Sequence, residues 1–129
     1  MNIIIHRGTT QIGGCVTEIR SNNDRIIIDL GSNLQGAPSR EFSDKEIFSI
    51  TEHANAVLYT HYHGDHVGLF SKVAGGVPQY ICEGAFMVMK CKNEALQYAY
   101  DSALKRGDRD IAEELNKEQV LKALKEMNT

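Results

Sequence analysis

Apolar and polar residues follow one another over the first sixty positions in the manner of short strands. Ile3, Ile4 and Ile5 form an apolar run that stops at Arg7-Gly8-Thr9-Thr10. Residues 15–20 alternate apolar with polar side chains, as a strand with one buried face requires. After Ser21-Asn22-Asn23-Asp24, which is turn chemistry, residues 25–30 (Arg-Ile-Ile-Ile-Asp-Leu) run back. The pair predicts a β-hairpin with a four-residue loop. Residues 54–59 form one more compact apolar strand.

Between these strands the pattern breaks. Residues 31–40 hold two glycines and a proline and predict a loop. Ser43-Asp44-Lys45-Glu46 is a capping-box pattern, in which hydroxyl and carboxylate each satisfy an orphaned backbone N–H, and it opens a short helix through Ile50. A further helix is expected from Gly64. From Gly84 onward the pattern is helical. Residues 85–106 contain no breaker and end at Gly107, a left-handed cap. Asp108 caps a following helix, on which Ile111, Leu115, Leu121 and Leu124 recur at near-helical spacing. Its charged residues predict a solvated face, with Glu114–Glu118 repulsive and Glu118–Lys122 favourable. No strand is expected after the helices begin, and no repeat, low-complexity tract or linker interrupts the chain.

Composition narrows the classes. The 129 residues are 42% hydrophobic and 24% charged with net charge −3, an ordinary globular composition without the basic field of a general nucleic-acid binder. Nothing approaches the length of a membrane span, and the three isoleucines near the N-terminus are too few for a signal-peptide core. Cys15, Cys82 and Cys91 are odd in number and form no zinc-like pair, which fits reduced thiols and a cytoplasmic location.

The candidate chemistry is concentrated in His61-Tyr62-His63-Gly64-Asp65-His66, directly after the last strand. His61 and His63 are two apart, so an extended backbone projects both imidazoles to one side. Gly64 permits a sharp turn that brings Asp65 and His66 near the first pair. Imidazole and carboxylate are ligands for zinc, manganese or iron, and two such ions about 3.5–4 Å apart polarise a substrate oxygen and supply hydroxide at neutral pH. His6 and His53 stand apart from this cluster and read as structural or solvated. Tyr62 lines a cleft or packs inward, and the pattern does not choose.

The run His61-x-His63-x-Asp65-His66 resembles the signature of the metallo-β-lactamase superfamily. That resemblance implies that His61 and His63 hold one metal, zinc or alternatively manganese, while Asp65 and His66 bind or tune a second. It makes Asp65 the candidate catalytic residue. Ile26-Ile27-Ile28-Asp29-Leu30-Gly31 resembles the superfamily strand ending in an aspartate beside the metals, which implies that Asp29 orients a ligand histidine. Gly8-Thr9-Thr10-Gln11-Ile12-Gly13-Gly14-Cys15 resembles the start of the β-CASP branch, with its ribonuclease J-like RNA-processing exonucleases. The glycines would allow close backbone approach beside the metal loop.

The resemblance implies an α/β fold: the N-terminal half of an αββα sandwich, with a mixed or mostly antiparallel sheet, helices on one face and a C-terminal helical pair. Residues 1–129 then form one partial domain, because no histidine follows His66. Asp101, Asp108 and Asp110 sit in or between helices, unlike a metal-bridging strand-end aspartate. The intact parent is expected to hydrolyse a phosphodiester, RNA above all, or alternatively a thioester or other ester. The chain by itself is expected to be inactive, or to serve as a non-catalytic metal-binding module. Its bare sheet face is expected to drive homodimerisation, and Ile27→Asp or Ile28→Asp to disturb it.

Overall fold

Asn22 decides how the central hairpin closes. It adopts φ +55°, a left-handed conformation that asparagine tolerates, and the ladder continues to a Ser21–Asp24 pair. The turn therefore has two residues, Asn22 and Asn23, and not the four expected from composition. In the computed structural model, which describes residues 1–110 and 118–129, strands β1 (Asn2–Arg7), β2 (Val16–Ser21) and β3 (Asp24–Leu30) form an antiparallel meander. Strand β4 (Ala56–Leu58) then joins β3 in parallel, and β5 (Gln79–Tyr80) joins β4 in parallel. The result is α/β, with a mixed five-stranded open sheet in the order β1-β2-β3-β4-β5. β5 is too short to carry a strand pattern in the sequence; Asn128 flanks it, donating to Gln79 O and accepting from Ile81 N.

Helix α1 (Asp44–Thr51) starts where the pattern places it, with the Glu46 N–H donating to Ser43 Oγ, whereas the Glu46 carboxylate accepts from the Ser43 hydroxyl and pairs with Arg40. A short α2 (Gly64–Val67) and a 3-10 turn (Phe70–Lys72) follow β4. Helix α3 (Glu83–Lys105) runs to Gly107, which takes φ +71° as a left-handed cap. Helix α4 is Glu118–Glu126. The expectations for Ile111, Glu114 and Leu115 fall outside the described residues. Among the described residues, no helix is long and apolar enough to cross a membrane.

The core lies on one face of the sheet. Val16, Ile27 and Val57 are fully buried there, against Ile47 of α1, Ala85 and Met89 of α3, and Ala123 and Leu124 of α4. The same face carries a charged member, because Glu18 pairs with Ile27 across the ladder and is itself fully buried. Its Oε1 accepts from Arg25 Nε at 2.7 Å and from Arg20 Nε, and its Oε2 faces His6 Nε2 at 2.7 Å. Arg25 also donates to the carbonyls of Ile50 and Glu52, tying β3 to the end of α1. His6 is thus structural, as expected, and His53 is exposed.

Burial raises the Glu18 carboxyl, but hydrogen bonds from Arg20, Arg25 and His6 outweigh it and hold the pKa at about 2, down from 4.5. A depressed folded value means this stabilisation is complete above pH 4.5 and is lost as the pH falls through about 2. Glu18→Gln should therefore cost about 3 kcal/mol at pH 7, the order expected for breaking a buried ion pair. The difference from the parent chain should narrow in denaturant titrations below pH 4.5. A pH-independent difference would refute the ionic account.

Candidate metal centre

β3 and β4 run parallel, so the loops leaving them emerge at the same end of the sheet, where open α/β sheets place ligands. The loop after β4 carries His61, His63, Asp65 and His66, and backbone bonds lock it and the turn that follows against the end of β3, the loop after it and the β1–β2 connection. Ser32 N donates to Gly64 O at 2.9 Å, Leu69 N to Leu30 O at 2.9 Å, and Cys15 N to Asp65 O at 3.2 Å. This closeness needs glycine. A Cβ on Gly31 would stand 1.7 Å from Asp65 O, and one on Gly13 (φ +73°) would stand 2.9 Å from the Asp65 side chain. Gly31 thus packs on the backbone of Asp65 and Gly13 on its side chain.

Asp29 lies under the histidines, 4% exposed, in a left-handed conformation with φ +62°. Its Oδ1 accepts from Thr60 N at 2.8 Å; its Oδ2 accepts from Thr60 Oγ1 at 2.8 Å and faces His66 Nδ1 at 2.8 Å. Because the carboxylate can only accept, the proton of this contact sits on His66 Nδ1, and in the neutral ring Nε2 is then the lone-pair nitrogen. Thr60 spends its one hydroxyl proton on Asp29, so its oxygen accepts from His61 Nδ1 at 3.0 Å. His61 too is left with Nε2 as its lone-pair nitrogen. A carboxylate orienting a ligand imidazole in this way is what metal sites use to fix tautomer and ring direction.

The three imidazoles are close. Ring centroids of His61 and His66 lie 4.1 Å apart and those of His61 and His63 lie 4.7 Å apart. Asp65 Oδ2 stands 3.6 Å from His66 Nε2. The rings pack on one another, and although the loop brings His61, His63, Asp65 and His66 near each other, among the described residues no three His, Cys, Asp or Glu side chains are placed to hold a metal ion. Imidazole and carboxylate are donor types that a zinc-like ion takes. Cys15 borders the loop without joining the donors. Burial, then the negative charges of Asp29 and Asp65, push its thiol up, so it stays protonated.

Arg7 is a residue that pattern reading passed over. It is 7% exposed and donates through Nε to Gly14 O at 2.7 Å, through Nη2 to Gly31 O at 2.5 Å and through Nη1 to Arg40 O at 3.3 Å. Nη1 also pairs with Glu41 at 2.8 Å, and the guanidinium lies 4.3 Å from the Phe42 ring. One planar fork thus joins the two glycine segments that embrace Asp65. The available signal was a cation ending an apolar strand directly before a glycine.

Tyr62 turns inward. With Val67, Phe70, Met89, Leu96 and Leu124 it lines a cavity of 200 Å³ beside the loop, and Lys92 Nζ sits 5.0 Å from its ring. Asp101, at the far part of α3, accepts from Gln97 and stands apart from these groups. In comparisons with known proteins, no family model and no curated protein matches the chain.

Proposed function

We propose that the loop of residues 60–66 is a divalent-metal site of the metallo-β-lactamase type, serving hydrolysis of a phosphodiester such as RNA in an intact parent protein. The observation that carries the reading is the chain His61–Thr60–Asp29–His66, in which one buried carboxylate meets His66 Nδ1 directly and His61 Nδ1 through Thr60 Oγ1. A carboxylate that fixes the direction of an imidazole through its Nδ1 is the arrangement metal sites use for their ligand histidines.

His61 and His63 would hold one ion, with Asp65 and His66 holding or tuning a second. Zinc, or manganese in its place, would supply Lewis acidity and a hydroxide at neutral pH. Asp29 and Thr60 fix the imidazole directions, and Asp65 is the residue on which turnover depends. The phosphodiester assignment rests on the resemblance of the segment 8–15, whose Gly13 and Cys15 lie against Asp65. Thioester or other ester hydrolysis is the alternative chemistry. A cytoplasmic setting accords with three free thiols.

The four donors give each ion two protein ligands where a catalytic zinc normally has three. The 129-residue chain by itself should therefore bind metal without appreciable turnover, as a metal-binding module. Elemental analysis after equilibrium dialysis against zinc or manganese tests the site. Metal retained by the parent chain should vanish in His61→Ala combined with His63→Ala, and equal contents would remove the binding claim. Turnover of RNA or thioester that survives purification and disappears in Asp65→Ala would overturn the expected inactivity.

A further inference from the structure

The register between β1 and β2 shifts by one residue beside the site. Ile5 pairs with Thr17 and the next pair is Arg7 with Val16, so His6 is an extra residue on β1. Strict alternation would put Arg7 on the face that exposes Ile3 and Ile5. Opposite the fully buried Val16 it turns inward instead and is buried as well. A guanidinium is seldom buried unless its N–H groups find acceptors. Here the acceptors belong to the segments that pack on Asp65. Nε donates to Gly14 O at 2.7 Å, next to Gly13, which packs on the Asp65 side chain. Nη2 donates to Gly31 O at 2.5 Å, and Gly31 packs on the Asp65 backbone. A Cβ on Gly14 would stand 3.0 Å from Arg7 Nε and 2.9 Å from Gln11 Nε2, so both side chains lie directly on the glycine. Gln11 Nε2 donates in turn to Gly13 O at 3.2 Å and to Asn33 Oδ1 at 2.8 Å. Asn33 N donates to Glu41 Oε2 at 2.7 Å, and Glu41 Oε1 returns to Arg7 Nη1 at 2.8 Å. The ring of contacts closes on Arg7.

We propose that Arg7 is a positioning residue of the candidate metal site: its planar fork holds the Gly13–Gly14 and Gly31 segments together and thereby fixes Asp65 beside the histidines. The inference rests on the reading of residues 60–66 as a metal site. Arg7 acts at a distance, through the bonds from Gly31 N to Cys15 O, from Cys15 N to Asp65 O and from Ser32 N to Gly64 O. Shape is the requirement, and charge alone does not meet it. A lysine keeps the charge, but its single nitrogen replaces three that reach separate carbonyls in directions set by one plane.

Amide hydrogen exchange of the metal-free chain tests the positioning. In Arg7→Lys the Cys15, Gly31 and Ser32 amides should exchange at least about tenfold faster relative to amides in the middle of α3, the effect of losing a charge-assisted bond locally. In equilibrium dialysis the same variant should bind zinc roughly tenfold or more weakly than the parent chain, as when other groups that orient ligands are removed. An arginine that only stabilises the fold would speed exchange at all of these amides together and leave the zinc affinity of the folded chain unchanged. That result overturns the proposal, as does a lysine variant that matches the parent in both measurements. Should the lysine variant not fold, the parent chain supplies the answer. In native-state exchange at guanidinium concentrations below its unfolding transition, the Cys15, Gly31 and Ser32 amides should open as one unit with a common denaturant dependence, because one side chain ties their segments. Independent openings overturn the proposal. The two possible failures differ: a parent chain without zinc affinity refutes the metal site and with it the purpose assigned to Arg7, whereas uniform exchange beside normal zinc binding refutes Arg7 alone.

Discussion

Gly31→Ala is expected to lower the unfolding free energy by about 3 kcal/mol or more, the range of severe overpacking against an element that cannot yield. The added methyl would meet Asp65 O at 1.7 Å, Asp65 C at 2.3 Å and Cys15 N at 2.9 Å, all of them backbone atoms. No side-chain rotation relieves such a contact, so either the 31–32 turn or the Asp65 peptide must move. Gly31 N donates to Cys15 O and Cys15 N to Asp65 O, and Arg7 Nη2 donates to Gly31 O. Movement therefore breaks a chain of buried bonds along with the contact. Gly84→Ala is the matched control: nothing lies within 4 Å of its added methyl, and it sits in the first turn of α3. That change should be neutral or stabilise by up to ~1 kcal/mol through helix propensity. Thermal and denaturant unfolding of the two variants should separate them clearly. Equal stabilities would show that the close approach at Gly31 is not a constraint on the fold.

The contrast between these glycines also marks what the sequence could disclose. Elements set by local chemistry were legible: the helix start at Ser43, the unbroken run into Gly107, the alternation that gives β2 and the apolar run after a turn that gives β3. Elements set by distant partners were not. β5 is two residues long and exists because β4 and Asn128 flank it. Arg7 owes its importance to carbonyls at Gly14, Gly31 and Arg40 and to Glu41, none of which its neighbours advertise. The hairpin turn shortened because a single asparagine accepted φ +55°, an energetic choice that composition leaves open. The four donor residues of the loop were visible because they lie within six positions. Thr60 was not, because its part depends on Asp29, thirty-one residues away.

Asp29 carries the second large expectation. Asp29→Asn should weaken zinc or manganese binding by roughly 10–100-fold, the usual effect of removing a carboxylate that orients a ligand imidazole. Asparagine tolerates the left-handed φ of +62°, so the backbone keeps its path. Its amide oxygen can still accept from Thr60 N, but the amide NH₂ at the Oδ2 position cannot accept from both Thr60 Oγ1 and His66 Nδ1. His66 then loses the charge that fixes its tautomer, and Thr60 no longer relays a fixed acceptor to His61. Asp29→Ala removes every one of these acceptors and places a less tolerant residue at positive φ, so it should lose about 2 kcal/mol or more of stability in addition to the metal. Isothermal titration with zinc, run beside denaturant unfolding, separates the two effects. The asparagine variant should be weak in metal and nearly normal in stability, and the alanine variant weak in both. Should Asp29→Asn bind zinc as tightly as the parent chain, the carboxylate would be a bond to Thr60 that shapes the turn, and the orienting role would fall.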